Sequence, residues 1–172
     1  MKKIKYLILL VVVLVGVSCE PTYTKTYSWA YPVAGDWMVS TYDTVTGEVT
    51  GGPYEIKSYN SSFGKDSIWI DDYGFATWST ATTPNKWIVT AGNYWTMKFK
   101  AAVNMGTKTF STSQSYSTIP TYEIGIRVSN GKIIGNDSIS FDIKFEDDAT
   151  PYGSTYRVAG HREVGYDEYM QK

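Results

Sequence analysis

Apolar and polar side chains alternate along most of the chain after residue 35. Near the start of this region, Trp37, Val39 and Thr41 share one face of a segment, with Met38 and Ser40 on the other. Because successive side chains of a β-strand point to opposite sides, this alternation predicts half-buried strands. It indicates roughly eight to ten strands, drawn from residues 36–42, 54–59, 66–72, 75–79, 86–90, 93–103, 106–112, 122–129, 132–135, 138–146 and 155–162.

The connections between these segments carry turn residues and no helical periodicity. Asn130-Gly131 predicts a two-residue hairpin turn of the primed type, which needs positive φ at both positions. Residues 73–93 are less regular and place Trp78 and Trp87 among small and polar residues. A structureless loop of that length is uncommon in a compact domain unless it has a function.

The pattern predicts an all-β fold in which an antiparallel meander closes into a barrel. A two-sheet β-sandwich has the same sequence signature and stays open as the alternative. Closure is favoured because it removes exposed strand edges. Composition agrees, since every Leu lies before residue 15 and the remainder is rich in β-branched and aromatic residues.

A basic and then apolar segment precedes the predicted domain. Lys2, Lys3 and Lys5 stand before an apolar run over 6–17, which is shorter than the roughly 20 residues that span a bilayer. Small residues then precede Cys19, which resembles the lipobox of bacterial lipoproteins. We expect a lipoprotein signal peptide over 1–18, a lipid-anchored tether over 19–33 with lipidation at Cys19, and a single barrel domain over 34–172.

The net charge of the chain after residue 18 limits the classes of partner that we expect. Loss of the three signal lysines leaves 13 of the 16 basic residues against 17 acidic ones, a net charge of −4. This argues against nucleic acid and against charge-driven binding to anionic membranes. Attachment through acyl chains predicts an outer-membrane lipoprotein of the cell envelope, on the periplasmic face or the cell surface. We expect a monomer and no cofactor or metal.

Gly35-Asp36-Trp37 opens the first predicted strand. It resembles the Gly-x-Trp signature of lipocalins and the wider calycin group. That resemblance implies that Trp37 closes one end of the barrel and that a late basic residue, Arg157 or Arg162, packs across it. The physical basis of such packing is a cation–π contact. The barrel-closure set is therefore Gly35, Trp37, Arg157 and Arg162.

Residues 34–170 also resemble a family of lipoproteins from Bacteroides-type bacteria described as "lipid-binding putative hydrolase". The resemblance is carried by the segments 34–37, 66–72, 94–101, 160–162 and 166–169. It implies a lipocalin-like fold and an apolar ligand. It also implies hydrolysis, for which the chain shows no motif.

Two binding functions follow from the aromatic and apolar residues. The first is an apolar ligand or lipid inside the barrel, in contact with Trp37, Tyr54, Ile56, Ile68, Ile70, Trp95, Met97, Phe99, Ile126 and Phe141. The alternative is a surface module that binds a glycan or a partner through Trp69, Trp78 and Trp87, because exposed aromatics stack on sugars and anchor interfaces.

An enzyme is the third hypothesis, and the residues favour it least. The chain has no Gly-x-Ser-x-Gly segment, and His161 is its single histidine, so a Ser-His-Asp triad depends on that residue. Asp71-Asp72 and Glu146-Asp147-Asp148 stand at predicted strand ends, where we expect solvated acids. Adjacent residues of a strand point apart, which hinders joint catalysis. We assign no catalytic residue.

Overall fold

Ten β-strands make up the secondary structure of the chain in a computed structural model, which describes residues 27–61 and 64–163. Cys19, the predicted signal peptide and the tail after residue 163 lie outside the described residues. No helix that is long and apolar enough to cross a membrane occurs within them. The strands are β1 (Gly35–Asp43), β2 (Val49–Asn60), β3 (Ser67–Asp71), β4 (Phe75–Ser79), β5 (Lys86–Thr90), β6 (Lys98–Asn104), β7 (Thr109–Tyr116), β8 (Gly125–Ile134), β9 (Ser138–Phe145) and β10 (Tyr156–Arg162).

Eight of the strands close into a barrel, so the barrel prediction is confirmed over the sandwich. The ring order is β1-β10-β9-β8-β7-β6-β3-β2, and every neighbouring pair is antiparallel. This is a meander with one interruption, because β4 and β5 pair only with each other, between β3 and β6. Strands β2 and β7 also extend beyond the segments that alternation marked.

The prediction of a hairpin turn at Asn130-Gly131 was wrong. Strand β8 runs through both residues, and the register shifts between Ser129 and Lys132, which makes a β-bulge. Asn130 has a φ of 54°. A Cβ at Gly131 would collide with the carbonyl oxygen of Phe110. A bulge and a primed turn therefore require the same residue types here, and the short sequence signal does not separate them.

One end of the barrel, here named the Trp37 end, is closed by hydrogen bonds around a buried indole. Trp37 is fully buried, and its indole N–H donates to the Ser58 hydroxyl at 2.9 Å. That hydroxyl donates in turn to the carbonyl of Val33 at 2.7 Å. Ala30 and Val33 are both fully buried in the core. The last residues of the predicted tether therefore pack against the barrel.

Arg162 is the arginine that covers Trp37. Its Cζ lies 4.3 Å from the centroid of the Trp37 ring, a cation–π distance. Its Nε donates to the carbonyl of Asn136 at 2.9 Å, and one terminal nitrogen donates to the carbonyl of Ala34. The guanidinium thus fixes three chain segments at this end.

Arg157, the other candidate for closure, lies elsewhere. Its Nε donates to Asp142 at 2.8 Å on the outer wall, with about half of its side chain exposed. Burial works to raise the pKa of Asp142, but hydrogen bonds from Arg157 and Asn130 lower the pKa overall. Arg157 has the wrong position for the barrel end because it pairs with Tyr42 near the other end of β1.

The opposite end, here named the Trp95 end, is organised by the carboxylate of Asp72. Asp72 is fully buried, and it accepts backbone N–H bonds at 2.7 Å from Trp95, Thr96 and Met97. Two longer bonds come from the N–H groups of Gly74 and Tyr94, each at 3.4 Å. The predicted strand 93–103 therefore begins later, at Lys98, because its first residues turn around this carboxylate.

We expect Asp72→Ala to lower the free energy of unfolding by about 3 kcal/mol or more, because three N–H groups lose the fully buried carboxylate that accepts from them. Urea denaturation measures the loss, and hydrogen exchange should show reduced protection of the amides of residues 95–97. The control is Asp66→Ala, since Asp66 is exposed and its loss should change stability by less than about 0.5 kcal/mol. Equal losses in the two variants would contradict the role of Asp72.

Candidate functional site

The predicted ligand-contact residues all lie in or against the hydrophobic core inside the barrel. Tyr54 is 7% exposed, and Trp95 is partly buried. The other eight are at most 1% exposed: Trp37, Ile56, Ile68, Ile70, Met97, Phe99, Ile126 and Phe141. Their common placement is what a ligand in the barrel requires, and their contact with a ligand stays a prediction.

Five rings meet at the Trp95 end and form an aromatic group of Tyr54, Tyr94, Trp95, Phe145 and Tyr156. The Trp95 ring lies 4.9 Å from Phe145, 5.8 Å from Tyr156 and 6.2 Å from Tyr54, measured between centroids. Tyr54 and Tyr94 stack at 4.8 Å with an interplanar angle of 18°. Such ring contacts stabilise beyond the area they bury. The group covers the apolar interior where the strands end.

Glycine makes room for one of these rings. A Cβ at Gly51 would collide with the Tyr94 ring, so only a residue without a side chain fits beneath it. The Tyr94 hydroxyl then donates to the carbonyl of Thr50 at 3.1 Å. Strand β2 thereby holds the ring that Asp72 has brought into place.

A pair of hydroxyl groups lies beside the aromatic group on the inner wall. Thr41 is fully buried, and its hydroxyl oxygen lies 2.7 Å from that of Tyr54. Burial raises the pKa of Tyr54, so its hydroxyl stays protonated at physiological pH. One of the two hydroxyls donates to the other, and the remaining proton is available to a polar ligand atom.

Sequence reasoning missed much of this site. It placed Trp95 among the interior residues, but it gave Tyr94, Thr41 and Tyr156 no role in binding. The signal that could have found the aromatic group is the pair of adjacent aromatic residues at 94–95. Period-two alternation places adjacent residues on opposite faces of a strand, so it does not predict that both rings join one group. Ring contacts between separate parts of the chain cannot be read from a strand pattern.

The tryptophans of the surface hypothesis occupy two different settings. Trp69 lies on the outer wall, where the Nζ atoms of Lys98 and Lys100 lie 5.6 and 4.9 Å from its ring centroid. Trp78 and Trp87 stand opposite each other on β4 and β5, with centroids 5.5 Å apart. They are 54% and 41% exposed. Of the three tryptophans, this second pair presents the more open aromatic surface.

The sequence pattern predicts that Asp71 and Asp72 are solvated, and this prediction is wrong. Asp71 is only 7% exposed, accepts from the Tyr59 hydroxyl at 3.0 Å and lies 3.6 Å from the Lys98 ammonium. Asp72 holds the loop described above. Both carboxylates therefore have structural partners, because the strand end is covered by the segment that follows it.

The other candidates for acid–base chemistry are dispersed. Glu146 accepts from the N–H of Gly125 at 2.8 Å, and Asp147 accepts from the Tyr122 hydroxyl at 3.2 Å. His161 is exposed on β10. Over residues 27–61 and 64–163, no three His, Cys, Asp or Glu side chains are grouped in a way that could hold a metal ion.

The clefts that the structure describes lie on the outer wall. One of about 530 Å³ lies over β7, β8 and β9 and is lined by Arg127, Lys144 and several hydroxyl groups. Two others, of about 370 and 350 Å³, share Asn130 and Gly131 at the bulge of β8. Their linings mix polar and apolar atoms, and none of them includes a residue of the aromatic group or of the predicted ligand-contact set.

Comparison with known proteins agrees with a ligand-binding barrel. The family model described as "Lipid-binding putative hydrolase" matches residues 22–167. The match contains all ten strands, both barrel ends and the aromatic group. No curated protein matches the chain. Because the family model covers most of the sequence, the chain belongs to the lipid-binding putative hydrolase family.

Proposed function

We propose that the protein binds an amphipathic lipid, with its apolar part inside the barrel and its polar part at the Trp95 end. The observation that carries the proposal is the aromatic group, which stands over a largely apolar interior with the Thr41–Tyr54 hydroxyl pair beside it. Apolar pockets with a few placed polar groups are the usual form of small-molecule sites. The family's description supports the same ligand class.

The contrast between the two ends supports the Trp95 end as the route for the ligand. The Trp37 end is held by hydrogen bonds from Trp37, Ser58 and Arg162 to three chain segments. The rings of Trp95 and Phe145 are held by ring contacts. When a ring moves aside, an apolar ligand can take the place of its apolar neighbours. Such a ligand cannot replace the partner of a buried hydrogen bond, so breaking that bond is costly.

We also propose that the chain is an outer-membrane lipoprotein anchored through Cys19. The support is the sequence before residue 20, in which three lysines, an apolar run and small residues precede the chain's single cysteine. An acyl anchor keeps the barrel near a source of lipids.

Among the described residues, the hydrolysis that the family's description names has no assembled set of catalytic side chains to support it.

Binding is tested by titrating the full chain with an anthroyloxy-labelled stearate and following its fluorescence. We expect saturable binding, and a rise of about tenfold in Kd for Trp95→Ala, because the ligand loses its contact with the indole. Trp69→Ala is the matched control, since that ring lies on the outer wall, and its Kd should stay within about twofold of wild type. Absence of saturation, or equal effects of the two changes, overturns the proposal.

The hydroxyl pair is tested with Tyr54→Phe and two ligands. Stearate should bind about fivefold more weakly, because its carboxyl loses a hydrogen-bond partner. Diphenylhexatriene has no polar group, so its Kd should stay within about twofold of wild type. Tyr122→Phe, which removes a hydroxyl bonded to Asp147, should affect neither ligand. The same loss for both ligands in Tyr54→Phe would show a general packing defect and not recognition of the polar group.

The anchor is tested by labelling cells with radioactive palmitate. The wild-type chain should take up the label and fractionate with the outer membrane, and Cys19→Ser should lose both properties, because no other thiol is present. Ser18→Ala keeps a small residue before the cysteine and should retain them. A wild-type chain without label removes this part of the proposal and leaves ligand binding untouched.

A further inference from the structure

Strands β4 and β5 form a hairpin that stands apart from the barrel. Among the strands that the structure describes, they pair with each other and not with any barrel strand. All of β5 and most of β4 are exposed. Isolated two-stranded hairpins are marginally stable in water. This one is secured at its base, where Asp72 binds the flanking backbone and the Tyr73 hydroxyl donates to the carboxylate of Glu55.

Both faces of the hairpin present large apolar side chains. The register places Trp78 opposite Trp87 and Ala76 opposite Val89, so these four share one face. Phe75 and Ile88 are on the other face, 52% and 44% exposed. A groove on a protein partner would cover one face of the hairpin, whereas a fluid lipid layer can cover both faces. Exposed apolar surface of this kind marks an interaction site.

The segment is also nearly free of charge. Between Asp72 and Lys98, a stretch of 25 positions, Lys86 is the only charged residue, although 19% of the whole chain is charged. The polar side chains of the hairpin are Ser and Thr hydroxyls, Asn85 and Lys86, and none of them is acidic. The Trp78 and Trp87 rings meet at 68°, so they do not form a flat platform for a sugar ring. Low charge and exposed tryptophan fit the interfacial zone of a lipid layer.

We propose that the β4–β5 hairpin docks the Trp95 end onto a lipid surface. The docking depth is shallow, because both edges of the hairpin carry unpaired backbone N–H and C=O groups, which are not tolerated in the hydrocarbon core. Trp78 and Trp87 then lie at the level of the headgroups, and the aromatic group faces the same surface. The purpose of docking, transfer of a lipid into the barrel, rests on the proposed function; docking itself does not.

Docking is tested with phosphatidylcholine vesicles and the full chain carrying Cys19→Ser, which frees the protein of its native thiol. A polarity-sensitive fluorophore attached through Ala81→Cys, at the exposed tip of the hairpin, should shift to the blue as vesicles are added. The same fluorophore attached through Ser129→Cys on the outer wall of β8 should not shift. Because one lysine carries the charge, the shift should change by less than about twofold between low and high salt.

Three further variants decide which surface is responsible. Trp78→Ala with Trp87→Ala should weaken vesicle binding by about tenfold or more, because two large apolar side chains are removed. Thr80→Glu, which adds a charge at the tip and leaves both rings, should weaken it about as much. Ile134→Ala removes a side chain that is 50% exposed at the Trp37 end and should stay within about twofold of wild type.

The outcomes are separable. No shift at position 81, or equal shifts at 81 and 129, overturns docking. Binding of soluble glycans that the double tryptophan variant abolishes would assign the hairpin to sugars instead. Stearate binding measured without vesicles should be the same in the hairpin variants and in wild type. If the barrel does not bind stearate, the proposed function is overturned and docking is unaffected.

Discussion

A single buried carboxylate holds together the part of this fold that its β-ladders do not reach. Between β3 and β6 the chain leaves the barrel and returns, and the N–H groups of residues 95–97 bond to a side chain and not to a neighbouring strand. Asp72 supplies the missing acceptors to Trp95, Thr96 and Met97. Buried N–H groups without acceptors are costly, and a charged acceptor makes the stronger bonds. The position of the Trp95 ring and the base of the hairpin both depend on this solution.

The two barrel ends use different chemistry for the same task of covering the interior. At the Trp37 end, an arginine and a hydroxyl connect separate segments through directed bonds. At the Trp95 end, Asp72 fixes the backbone and the hydroxyls of Tyr54 and Tyr94 are hydrogen-bonded, but the rings of Trp95 and Phe145 cover the core through ring contacts. Directed bonds favour one arrangement strongly, while ring contacts allow several of similar energy. A barrel built in this way is expected to stay closed at one end and to yield at the other.

Prediction from the sequence succeeded for barrel strands that have one buried face and one solvent-exposed face. The interior residues from Trp37 to Phe141 are buried as alternation indicated. The bounds of the short strands β4 and β5 also match the prediction. It failed where a residue serves a three-dimensional contact. Asn130-Gly131 predicts a turn but forms a bulge, because both structures accept an Asn at positive φ. Asp72 is predicted to be a solvated acid but is buried, since nothing in a linear pattern shows which N–H groups surround it. The aromatic group failed for the same reason, because its rings come from four separate parts of the chain.

The low charge of residues 73–97 is explained by what surrounds each part of the segment. Its ends, near Asp72 and Tyr94, are packed against the barrel, and there the absence of charge is ordinary for a partly buried segment. Its middle is exposed, and there charges would raise solubility and protect the open strand edges. Lys86 alone does so. The exposed hairpin therefore lies beside the barrel end that the aromatic group covers. These two neighbouring surfaces are similar in polarity, because both carry few charges. A lipid headgroup layer is the environment in which both are favourable at once, and it is also where an amphipathic ligand would be found.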